Sequence, residues 1–141
     1  MSALVRGLTW PIASLLIIGG SHFVAEAVRP ELHDLVGPAV TMPIYLVAGG
    51  WAGYGTHRAG GTFVHGLVAG AVLGLLPLML QIVGFGALLG RDPGASLTSG
   101  LFGFAAIFWG ASLGAGIAAS FAPAVAAQPA TPAAAVAPSR A

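Results

Sequence analysis

His22 and Glu26 stand four residues apart, a spacing that puts both side chains on one face of a helix. Glu31, His33 and Asp34 follow about one turn beyond, at the same membrane surface. Imidazoles and carboxylates are the donor set of a divalent ion such as zinc and the groups of a proton relay. An ionisable group inside a bilayer is costly, which makes it a functional candidate by default. His22, Glu26, His33 and Asp34 are therefore the candidate metal or proton-relay residues, the competing reading being a polar helix end in water. A second set lies at the other surface, where Arg58, with His57, Tyr54 and His65 close by, can hold a lipid phosphate or a partner carboxylate, or fix topology at the interface. His22 and His65 are also of the type that ligates haem iron or pigment magnesium. They are expected near opposite surfaces and cannot share one haem. No cofactor is predicted from these residues, and pigment, haem and divalent metal stay open.

The elements that must position these groups follow from composition. Of 141 residues, 57% are hydrophobic and 6% charged, and the mean hydropathy is +0.91. A soluble domain carries about 25% charged residues, and a disordered chain is poor in hydrophobic ones, so the composition specifies a polytopic membrane protein. Five Arg, no Lys and a net charge of +1 supply no surface for nucleic acid. With no cysteine, disulfides, thiolate metal sites and cysteine nucleophiles are excluded. No phosphate-binding loop, His-Glu-x-x-His or Gly-x-Ser-x-Gly motif is present, which makes an enzyme the less favoured reading.

A membrane-crossing helix takes about 20 apolar residues. The few charges divide the chain into four such stretches, at approximately 8–28, 35–55, 62–89 and 97–121. The short connections predict an all-α, up-down four-helix transmembrane bundle. Pro77 predicts a kink or strong tilt in the third stretch. Gly37, Pro38, Pro43 and Gly49, Gly50, Gly53 and Gly55 weaken the second as a helix, so a re-entrant segment is the alternative there. Residues 1–27 also parse as a signal peptide ending at Ala25-Glu26-Ala27. Residues 122–141, rich in Ala and Pro, read as a flexible tail. Arg6, Arg58 and Arg140 fall on one side, and Arg29, Arg91 and all four acids on the other. That balance predicts both termini in the cytoplasm, and the Arg-only, Ala-Pro-rich composition suggests a bacterial inner membrane.

Small residues spaced by four let helices approach closely in hydrocarbon. Gly49 and Gly53, then Gly66, Gly70 and Gly74, form such stripes and are expected to face each other across the intervening turn, while Gly110 and Gly114 repeat the device in the last stretch. The run Gly49-Gly50, Ala52-Gly53-Tyr54, Arg58, Gly60-Gly61, His65-Gly66, Gly70 and Gly74 resembles the small glycine-rich four-helix membrane proteins of unknown function from bacteria and archaea. The resemblance covers Gly49 to Gly74 and implies four spans, with no activity or catalytic residue to carry over.

Three functions compete. An accessory or structural subunit packing against a larger membrane complex fits the glycine stripes and the scarcity of polar groups within the spans. A small homo-oligomeric transporter or channel is the alternative, but it would show a polar constellation near the midplane. A metal- or cofactor-binding protein would use His22, Glu26, His33 and Asp34. Partners are the bilayer and other membrane subunits or further copies of the chain. For a packing role alone, replacing both His22 and Glu26 by Ala is expected to be nearly silent.

Overall fold

A computed structural model of the chain describes residues 2–29 and 38–121. His33, Asp34 and the expected tail at 122–141 lie outside the described residues. Within them the fold is all-helical: α1 (Ala3–Val28), α2 (Pro38–Arg58), α3 (Phe63–Leu88) and α4 (Pro93–Ser120). Three helices, α1, α3 and α4, are long and apolar enough to cross a membrane. At 1.5 Å per residue, α1 with its 26 residues extends about 39 Å. α2 has 21 residues, a sufficient length, but its glycines, Thr41, Thr56, His57 and Arg58 leave it less apolar than the others. It is one continuous helix, as a re-entrant segment would not be.

Local chemistry sets the helix boundaries and places two starts earlier than the hydropathy does. α1 begins at Ala3 because the Ser2 hydroxyl accepts the Val5 N–H at 3.4 Å. Asp92 caps α4 by accepting the Ala95 N–H at 2.7 Å, and Pro93 follows as the first helical residue, where its missing N–H costs nothing. α3 is α-helical through Pro77 to Met79 and π-helical over Leu80–Leu88. The carbonyl that Pro77 deprives of a donor is that of Leu73, one turn before the proline, so the π winding is a separate feature of this helix.

The interior is built from backbone approaching backbone. A Cβ on Gly49 would collide with the Ile107 carbonyl, and one on Gly53 with the Ala111 carbonyl. Reciprocally, a Cβ on Gly110 would collide with the Leu46 carbonyl, and one on Gly114 with that of Gly50. The register advances in the same direction on both helices, so α2 and α4 run parallel, as up-down connectivity requires of alternate helices. Such approach permits Cα–H···O contacts and maximises dispersion where no hydrophobic effect separates helix from lipid. The sequence expectation that the α2 and α3 stripes face each other is corrected here: both converge on α4. Gly66 would meet the Ala115 Cβ at 2.6 Å, Gly70 the Ala111 Cβ, and Gly74 the Phe104 Cδ2 at 2.8 Å. At Gly66 the α3 stripe also reaches α2, where an added Cβ would lie 3.5 Å from the Gly53 Cα. α4 can receive both helices because its buried residues include Gly100, Gly103, Gly110, Gly114, Ala106, Ala111, Ala115 and Ala118. α1 packs outside this pair, with Gly7 against Thr56 and Leu15 against the core of Ala48, Ala52, Ala69, Leu73 and Ile107.

Large apolar side chains face outward on every helix, among them Ile17, Val47, Val64 and Leu113. This arrangement suits a hydrocarbon surround. It also separates two kinds of glycine. Gly53→Leu should lower stability by at least about 3 kcal/mol through overpacking, measured by SDS-titrated unfolding in mixed micelles. Gly116, with nothing within 4 Å of an added Cβ, should tolerate alanine and gain up to about 1 kcal/mol from helix propensity.

Candidate functional site

The described ionisable residues of α1's second half are gathered at one end of the bundle by the turn between α3 and α4. Gly90, with φ of +67°, adopts the left-handed conformation that ends the π segment, and the Arg91 N–H donates to the Phe85 carbonyl at 3.0 Å. That closure folds the Arg91 side chain back over Phe85, its guanidinium carbon 5.7 Å from the ring centroid, in cation–π geometry. From there the guanidinium forms an ion pair with Glu26 of α1.

Glu26 has a side chain only 2% exposed, a burial that a carboxylate sustains only when paired. His22, one turn earlier, brings Nε2 to 3.7 Å from the second Glu26 oxygen. Phe85 is fully buried at the centre, with the His22 ring 5.7 Å away and the Phe23 ring edge-on at 5.5 Å. The Ser96 hydroxyl, on the first turns of α4, is buried beside Gly86. The product is an ion pair with an aromatic floor, tying the end of α1 to the α3–α4 turn.

The expected pairing of His22 and Glu26 is therefore present, whereas His33 and Asp34 lie outside the described residues. Among the described residues no group of three or more His, Cys, Asp or Glu side chains comes together to hold a metal. His22 and Glu26 supply two donors, and one carboxylate oxygen is committed to Arg91. Sequence reasoning passed over Arg91 and Phe85. The signal was available: a carboxylate placed inside a span demands a cation at the same depth, and Arg29 and Arg91 are the described candidates on that side. The expectation that His22→Ala with Glu26→Ala is silent is also revised, because it would leave Arg91 without its carboxylate.

At the opposite end, His65 closes the start of α3. Its Nδ1 accepts the Thr62 N–H at 3.2 Å and lies 2.8 Å from the Thr62 hydroxyl, which in turn accepts the His65 N–H at 3.4 Å, a reciprocal helix cap. Arg58 ends α2 and is exposed. The Trp10 and Trp51 side chains, 67% and 53% exposed, lie in the half of the bundle nearest this end, as amphipathic rings at a membrane interface do. Gln81, in the π segment, lies against Gly100 of α4.

The ion pair makes a quantitative prediction. Arg91→Met alone should cost about 3 to 5 kcal/mol by stranding a buried carboxylate, and adding Glu26→Leu should restore most of it. Gly90→Val should cost about 1 to 2 kcal/mol through the left-handed φ. Unfolding in SDS-containing micelles reads all three, and a double variant as damaged as the single one would show that the pair does not hold this end together. Comparison with protein families, with curated proteins and with solved structures gave no match.

Proposed function

We propose that this protein is a four-span integral membrane protein of the bacterial inner membrane, both termini cytoplasmic, acting as a non-catalytic accessory subunit that packs against a larger membrane complex. The observation that carries the reading is the way the interior is filled. Between α2 and α4 backbone touches backbone at Gly49, Gly53, Gly110 and Gly114, which leaves no polar route along that seam. Glu26 is paired with Arg91. What the chain offers is its outer surface, where apolar side chains project from all four helices. α2 is the fourth span in this reading because its register against α4, from Leu46 to Gly53, sets it at the depth of a helix that can itself cross the bilayer.

Purification from the native membrane in mild detergent, followed by mass spectrometry and an absorption spectrum, tests it. The expected result is a defined set of larger membrane subunits at fixed stoichiometry. Recovery of a homo-oligomer alone would overturn the accessory role and move the weight to transport, to be measured as flux in liposomes.

A further inference from the structure

Beside the line where α1 packs on α2, which includes Gly7 against Thr56 and Leu15 in the core with Ala48 and Ala52, lies an open apolar groove of about 300 Å³. Pro11, Leu15 and Ile18 line it from α1, and Pro43, Val47 and Trp51 from α2. Pro11 and Leu15 are buried at its floor, while Val47 and Trp51 stand exposed along its wall. From Pro43 to Trp51 the groove runs about 12 Å along α2, somewhat less than one leaflet of a hydrocarbon core roughly 30 Å thick.

Arg58 stands seven residues beyond Trp51, about 10 Å up the helix and within about 20° of the same face. Arg58 thus stands on the groove's side of α2, beyond the close contact of Gly7 with Gly55 and Thr56. Among the described residues no carboxylate lies near it: Glu26 and Asp92, the two described acids, are at the opposite end of the bundle. Arg6 shares Arg58's end but is nine residues, two and a half turns, from Leu15, and so points away from the groove.

We propose that this face binds one anionic phospholipid, its headgroup phosphate on Arg58 and one acyl chain lying in the Pro11–Trp51 groove. The site rests on the membrane placement proposed above and is independent of the accessory role. The occupant is a lipid because an apolar groove and, about 10 Å further along the same face of α2, a cation with no carboxylate near it among the described residues together present the amphipathic pattern of a phospholipid.

Trp51 lines the groove and reports on it. In the full chain carrying Trp10→Phe and Trp109→Phe, both replaced side chains being exposed, Trp51 is the sole tryptophan. The protein is reconstituted in phosphatidylcholine vesicles doped with chain-brominated phosphatidylglycerol or chain-brominated phosphatidylcholine. Brominated phosphatidylglycerol should quench Trp51 at about fivefold lower mole fraction, the value of one Arg near an anionic headgroup. Arg58→Gln should abolish that preference while leaving quenching by brominated phosphatidylcholine unchanged, and Arg6→Gln should retain it. Val47→Phe, which fills the groove, should reduce quenching by both lipids. Equal quenching by the two lipids, a preference that survives Arg58→Gln, or equal losses from the two Arg variants would overturn the site. Shielding of Trp51 from both lipids would do so too, and would indicate a protein segment in the groove. Failure of the protein to float with the vesicles would instead overturn the membrane placement.

Discussion

The approach of α2 to α4 is the constraint on which the rest of the bundle depends. Four glycines alternate across the seam, each opposite a carbonyl of the facing helix, so the register cannot slip by a residue without driving a side chain into a backbone. In hydrocarbon there is little hydrophobic gain from bringing two helices together, and association rests on close packing and weak polar contacts. Once the seam is set, α4 offers its remaining small residues to Gly66, Gly70 and Gly74 of α3. α1 is then left an outer position against α2 and α3. This order explains why the helix with the least apolar sequence is buried along one stripe, from Ala48 to Thr56.

Charge is distributed unevenly over the two ends, and each end handles it differently. At the α3–α4 turn a carboxylate and a guanidinium neutralise each other over Phe85, where both would otherwise be costly near the bilayer. At the other end the described groups are Arg6, Arg58 and imidazoles, without a carboxylate among the described residues. The first arrangement closes the protein on itself, and the second leaves Arg58 exposed.

Much of this was legible in the sequence, for identifiable reasons. The helical class and the approximate positions of the four helices, three of them long and apolar enough to cross a membrane, follow from apolar runs cut by rare charges, and the sharing of a face by His22 and Glu26 follows from helical spacing alone. The partner of each glycine stripe did not follow, because spacing identifies a face that can approach closely and not the helix that it approaches; Gly49 and Gly66 carry the same local signal. Arg91 was hidden for a related reason. Its pairing with Glu26 spans the whole of α2 and α3 in sequence and depends on the left-handed Gly90 and on the π winding before it, neither of which a hydropathy pattern encodes. The role of Thr62 and His65 as a cap was similarly masked, because histidine replaces the usual Glu or Gln at that position.

The most direct test of the α2–α4 seam is solid-state NMR of the protein with carbon-13-labelled glycine, alanine, leucine and isoleucine in lipid bilayers. Through-space cross-peaks of Gly114 with Gly50, Gly110 with Leu46, Gly49 with Ile107 and Gly53 with Ala111 are the predicted result. Gly49 and Gly53 correlating with Gly66, Ala69 and Gly70 of α3, with none of those α4 cross-peaks, would contradict the account and return the bundle to a pairing of consecutive helices.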